Sequence, residues 1–141
     1  MNTYRKPSLT VDIIIFNEDG RIILIKRKNN PYKNFWAIPG GFVEYGETVE
    51  NAAIRECKEE TNIDVKLVAI CGVYSNPTRD PRGHTVTIAY IGKGKINNMK
   101  ASSDALEIAI FSQKELENMN LAFDHAKILQ DSFNLYSKLN K

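Results

Sequence analysis

Residues Gly41 to Ile63 read GFVEYGETVENAAIRECKEETNI, and this stretch decides how the chain is understood. From Thr48 to Thr61 it is rich in Glu, Ala, Arg and Lys and follows Gly46, which predicts a helix. Asn62 comes next, a residue that accepts the left-handed backbone with which helices close. Inside the helix Glu56, Glu59 and Glu60 stand at i, i+3 and i+4, so three carboxylates share one face within a turn. At about 100° per residue that face also carries Val49, Ala52 and Ala53, while Asn51 and Lys58 fall on the other side. The acids thus project along the inward-leaning face, the reverse of an ordinary amphipathic helix.

Three like charges crowded in this way repel one another, more strongly where water is excluded. Arg55, four residues before Glu59, can offset part of that repulsion by orienting a carboxylate. A hard divalent cation is the simplest source of the remainder, because carboxylate oxygens are its preferred ligands. Magnesium retains waters and is held by a few carboxylates together with substrate phosphates. Two or three acids on one helix therefore suit phosphate chemistry better than a calcium cage.

Outward from the helix, the first half reads as strands. Leu9 to Phe16, the turn cluster Asn17 to Gly20 and Arg21 to Lys26 form an expected hairpin. Phe35 to Ile38 is a short apolar run cut off by Pro39-Gly40-Gly41. Beyond the helix, Ile63 to Tyr74 and Thr85 to Ile91 are expected strands separated by a long loop, Ser75 to Gly83. Leu106 to Phe111 is a further strand, and Ser112 with Glu115 has capping-box spacing for a short helix. Ala122, Ala126, Leu129, Phe133 and Tyr136 recur at steps of four and three and predict a closing amphipathic helix. The order gives an α/β (α+β) fold, a mixed sheet between helices, with residues 1–141 read as one domain.

The balance of 19 basic and 17 acidic residues, net +2, gives no footing for nucleic-acid or membrane binding. Cys57 and Cys71 fit no CxxC metal spacing, the polar N-terminus does not read as a secretory leader, and Val11 to Phe16 is too short to cross a bilayer. Free thiols in a cytoplasmic setting are the expectation.

The opening stretch resembles the Nudix box, G-x5-E-x7-R-E-U-x-E-E-x-G-U with U a bulky aliphatic residue. Gly41, Glu47, Arg55, Glu56, Glu59, Glu60 and Ile63 fall in register. Six of these are single-residue requirements, and a chance match at a given start is on the order of one in ten million. Cys57 stands for an aliphatic residue and Asn62 for glycine; both are mild departures. The resemblance implies a catalytic loop–helix–loop against the sheet, a Mg2+ or Mn2+ cofactor held by Glu56, Glu59, Glu60 and the Gly40 carbonyl, and structural support from Gly41, Glu47 and Arg55. It also implies hydrolysis of a nucleoside-diphosphate-linked substrate. The proton of the attacking water would pass to Glu59, Glu60 or a downstream acid, Asp104 or Glu107, of which Glu107 is favoured because it opens a strand after a loop.

Gly72 to His84, GVYSNPTRDPRGH, resembles a segment of ADP-ribose pyrophosphatases and of related ADP-ribose-sensing Nudix domains. With PGGFVEYGE and AFDHAKIL, the similarity extends from Val11 to Leu129. Arg79 and Arg82 on that loop can reach phosphate or ribose oxygens, or make a dimer contact, and Arg27 is a further candidate substrate ligand. Phe35 and Trp36 could stack on a base but suit packing better, and His84 is open between the two roles. Three functions follow: ADP-ribose to AMP and ribose 5-phosphate, cleavage of oxidised nucleoside triphosphates of the 8-oxo-dGTP kind, and non-catalytic ADP-ribose sensing. The residues after Phe111 are too few for a winged helix, which weighs against the third. The resemblance to ADP-ribose pyrophosphatases favours a homodimer.

Overall fold

A computed structural model describes residues 4–140. Its sheet has seven strands: β1 (Ser8–Phe16), β2 (Ile22–Arg27), β3 (Trp36–Ala37), β4 (Gly40–Phe42), β5 (Lys66–Tyr74), β6 (Thr85–Lys93) and β7 (Ala105–Phe111). Two helices, α1 (Val49–Thr61) and α2 (His125–Leu139), cover its two faces. β1 is central, parallel to β6 along its whole length from Ser8 opposite Thr85 to Phe16 opposite Lys93. Its apolar run is nearly continuous because both sides are buried. Val11, Ile13 and Ile15 pack with Ala52, Ala53 and Cys57 of α1, whereas Ile14 and Phe16 pack with Ile128, Leu129 and Phe133 of α2. Each fully buried Val, Ile, Leu or Phe side chain among them contributes about 1.5–3 kcal/mol.

The expected β1–β2 hairpin forms only at its closed end. Asn17 Oδ1 accepts from the N–H groups of Asp19 and Arg21, and Phe16 pairs with Ile22. Beyond that pair the strands fork. β4 takes the place beside β1, with Thr10, Val11 and Asp12 opposite Phe42, Gly41 and Gly40, while β2 turns to β3 and β7. Gly40 is required at this junction, since a β-carbon there would collide with the Val11 carbonyl. The fork is where the candidate site lies.

α1 starts where the sequence places it. Thr48 Oγ1 accepts from the Asn51 N–H at 3.1 Å, and Asn62 closes the helix at φ 60°, its N–H bonded to Lys58 O. Ser112 and Glu115 exchange reciprocal side-chain bonds at 2.9 and 3.3 Å, and the turn they cap, Lys114–Asn118, is a 3-10 helix. α2 departs from expectation. Ala122 is not in it: Trp36 and Leu121 form a parallel bridge, the Ala122 N–H donates to Trp36 O, and Phe123 takes φ +52° before the helix begins. This pairing sets the phase of α2, so that His125, Ile128, Leu129, Ser132 and Phe133 are buried and Ala126 is exposed. Among the described residues no helix is long and apolar enough to cross a membrane.

Candidate active site

A cleft of about 430 Å3 occupies the fork between β1 and β2. One wall is α1. Arg55 ties that helix to the preceding loop: Nε and Nη2 donate to the two oxygens of Glu47 at 2.7 and 2.9 Å, and Nη2 also donates to Phe42 O. Its Nη1 reaches Glu56 at 2.8 Å and Glu59 at 3.2 Å. These bonds hold the Glu47 carboxyl down at about 2 and push the Arg55 guanidinium pKa above its ordinary value. The carboxylate of Glu56 lies against the α-carbon of Gly41, where any side chain would collide with it. Glycine at 41 is therefore a matter of close approach, not of turn geometry.

Glu60 is the most exceptional acid of the site. Its Oε2 is buried with no hydrogen-bond partner. Burial first, and then the neighbouring Glu56, push its pKa up to about 8, against the opposing pull of the nearby Gly40 N–H. Burial raises the Glu56 pKa as well, against the pull of Arg55. Glu59 differs: its side chain is 59% exposed at the rim and does not line the cleft. Among the described residues no three His, Cys, Asp or Glu side chains converge into a ready-made metal cage. Two hard, inward-facing carboxylates with an orphaned oxygen nevertheless fit a divalent cation whose remaining ligands are backbone, water and substrate oxygens.

The opposite wall is basic. Arg27 at the end of β2 and Arg82 of the Ser75–His84 loop both lie over the Phe123 ring, 5.0 and 5.6 Å from its centroid. Burial, and then the nearness of Arg82, lower the Arg27 pKa. Arg82 leans on Asp80 through bonds of 2.9 to 3.1 Å but stays half exposed. Arg79 is 6% exposed and fully engaged. It grips Asp124 with two bonds of 2.7 and 2.9 Å and Thr85 Oγ1 with a third, tying the loop to the start of α2. Burial alone would lower its pKa, and the Asp124 carboxylate more than offsets that. His84 closes the base of the loop on Ser75 O at 2.9 Å.

The sequence-derived candidates thus separate. Gly40, Gly41, Glu56, Glu60, Arg27, Arg79 and Arg82 line one cleft, and Glu47, Arg55 and Glu59 brace it. Glu107 does not join them. It pairs across the sheet with Lys26, 3.6 Å from Nζ, whereas Ile108 and Ile23 point to the α1 side. Strand alternation therefore turns Glu107 to the other face. Asp104 is exposed in the loop before β7, and Phe35 and Trp36 pack against Ile25, Ala37 and Phe111. Unforeseen members of the cleft are Asp12, Asp80, Phe123 and His125. Asp12 interrupts the apolar run VDIIIF and His125 falls on the buried stripe of α2, which are the two signals that could have flagged them.

A family model described as the NUDIX domain matches residues 6–132. The chain belongs to the Nudix family. It is 51% identical over 128 residues to an ADP-ribose pyrophosphatase of Methanocaldococcus jannaschii, covering 91% of this chain and 74% of that protein. A MutT/nudix family protein from Enterococcus faecalis superposes with a TM-score of 0.84 at 32% identity, over 98% of this chain and 65% of that one. A bifunctional NMN adenylyltransferase/ADP ribose pyrophosphatase from Francisella tularensis, solved with AMP and a manganese ion, superposes with a TM-score of 0.78 at 30% identity. That alignment covers 92% of this Nudix chain and 42% of the bifunctional protein. Nudix hydrolases use divalent metals, and the carboxylate wall matches that chemistry.

Proposed function

We propose that this Nudix hydrolase cleaves the pyrophosphate of ADP-ribose, releasing AMP and ribose 5-phosphate. The observation that carries the reaction is the unpartnered, buried Glu60 Oε2 facing arginines across a cleft sized for a small ligand. The substrate rests on the archaeal relative's activity and on the Gly72–His84 segment. In this reading Glu56 and Glu60, with the Gly40 carbonyl, hold Mg2+ or Mn2+. When bound, the cation neutralises pyrophosphate charge and activates water. Arg27 and Arg82 orient the diphosphate from the other wall, and Arg79 keeps the loop that carries Arg82 in place. Arg55 and Glu47 fix the direction of Glu56. The proton of the water that attacks phosphorus passes in this reading to Glu60 or, from the rim where Arg55 holds it, to Glu59.

The chain is further read as a cytoplasmic homodimer, with free Cys57 and Cys71. Exposed Val68, Ile70 and Val73 on β5, which ends the sheet, offer an apolar face for a second copy. Incubation of the purified protein with ADP-ribose, 8-oxo-dGTP and other dinucleotides, each with Mg2+ and with Mn2+, tests the activity by product chromatography. AMP from ADP-ribose is the expected result. Pyrophosphate from 8-oxo-dGTP in its place would move the substrate to oxidised triphosphates, and binding without turnover would make the chain a sensor.

A further inference from the structure

Ile38 lies between β3 and β4, is 3% exposed, and gives its backbone N–H to a side chain 87 residues further on. The acceptor is Nδ1 of His125, at 3.0 Å. A ring nitrogen that accepts carries no proton, so the neutral imidazole has its proton on Nε2. Nε2 faces Asp12 Oδ1 at 3.7 Å, and the other Asp12 oxygen accepts from Thr87 Oγ1 at 2.6 Å. Burial keeps the ring neutral by pushing its pKa down, against the nearby Asp12. The histidine is thus wedged between the β1 floor and the backbone that follows β3.

What that backbone does gives the wedge its meaning. Pro39 O accepts from the Ile13 N–H at 2.8 Å, Gly40 lies beside the Glu60 carboxylate in the cleft wall, and Gly41 lies against the Glu56 carboxylate. Residues 38–41 therefore run without a break from the imidazole to contact with Glu56, passing beside Glu60. A shift at Ile38 has no slack in which to die out, because a β-carbon's worth of space is missing at Gly40 and again at Gly41.

We infer that His125 is a positioning residue for the hydrolysis, its Nδ1 fixing through the Ile38 N–H the strip of backbone on which Glu56 and Glu60 are seated. This rests on the reading of those two glutamates as the working carboxylates, and not on which nucleotide is cleaved.

His125→Asn and His125→Gln separate this role from simple filling of space. Asparagine keeps an acceptor oxygen near the Nδ1 position, whereas glutamine carries its polar group one carbon further, toward the place of Nε2. Amide hydrogen exchange at Ile38, with Ile91 in β6 as the internal reference, needs neither metal nor substrate. His125→Asn is expected to retain both Ile38 protection and turnover of ADP-ribose with manganese. His125→Gln is expected to speed Ile38 exchange while Ile91 stays protected, and to lower kcat by up to about a hundredfold with KM little changed. Equal Ile38 exchange in the two variants, or an unchanged kcat in His125→Gln despite a freed Ile38 amide, overturns the inference. If the parent protein leaves ADP-ribose intact, the substrate assignment fails, and the exchange contrast still decides whether His125 fixes the strip.

Discussion

The acidic wall and the basic wall of the cleft are made in different ways. On the α1 wall the acids outnumber the cations: the one Arg55 serves Glu47 of the preceding loop as well as Glu56 and Glu59, and Glu60 Oε2 has no partner at all. Across the cleft two of the three arginines come with their own counter-ions, Arg79 with Asp124 and Arg82 with Asp80, while Arg27 gives its Nε to Pro31 O. A buried carboxylate left without a cation is held at a cost that a ligand can remove, whereas a paired guanidinium is already satisfied. The acidic wall is thus built to acquire charge from outside, and the basic wall to hold its shape and offer only its free edges.

The largest break in this asymmetry comes from Glu60→Gln. It is nearly isosteric and removes the unpartnered charge, and turnover should fall by roughly a hundred- to a thousandfold. The metal-free melting temperature should hold or rise, because burial of that charge is unfavourable. Steady-state kinetics beside thermal melts test this, and near-parental turnover would exclude Glu60 from the reaction. On the other wall, Arg79→Ala leaves Asp124 without its partner in a largely buried setting and should cost about 2–4 kcal/mol of stability. Chemical denaturation measures this, and a loss below about 0.5 kcal/mol would make Arg79 a solvated surface charge. Arg82→Ala strips the buried Asp80 carboxylate of its guanidinium partner and should cost about 1–3 kcal/mol of stability, while raising KM several-fold with kcat little altered, the pattern of lost uniform binding. If instead kcat falls while KM holds, Arg82 acts on the transition state and the basic wall is more than a cradle.

A further effect lies in the pH dependence of metal-free stability. The Glu60 pKa is raised to about 8 in the folded protein, so between its ordinary carboxylate value and that point the folded state retains a proton that the unfolded state has lost. Stability from this group is therefore present at low pH and declines as pH rises through the window, at up to about 1.4 kcal/mol per unit. Above that point the decline stops. Melts from pH 5 to 9 should show the slope in the parent and a flatter profile in Glu60→Gln; parallel profiles would contradict the burial argument.

What was legible in the sequence is what is local. Glu56, Glu59 and Glu60 share a helical turn with Arg55, and Thr48 and Asn62 cap it, so their relation follows from spacing within Gly41 to Ile63. The same spacing could not say that Glu59 would point to the rim, because that depends on how far α1 rolls on the sheet. The placement of Glu107 is a matter of phase: whether it faces α1 is set by its register opposite Lys26, next to an irregularity at Lys26/Arg27, which spacing along the chain does not carry. Asp12 and His125 become part of the site only when β1 and α2 meet, 113 positions apart in the chain by their numbers. Ala122 fits the helical stripe, but its N–H is taken by Trp36 O, a tertiary pairing that no periodicity reports.

The central claim is that the acidic wall is a cation site in waiting, and titration of Mn2+ into the substrate-free protein, followed by water-proton relaxation, addresses it without any assumption about the nucleotide. The parent should bind manganese with a defined affinity, Glu56→Gln and Glu60→Gln should each weaken binding by an order of magnitude or more, and Glu107→Gln should match the parent because it lies on the other face of the sheet. Parental affinity in both helix variants, or a loss in Glu107→Gln as large as theirs, would contradict the account.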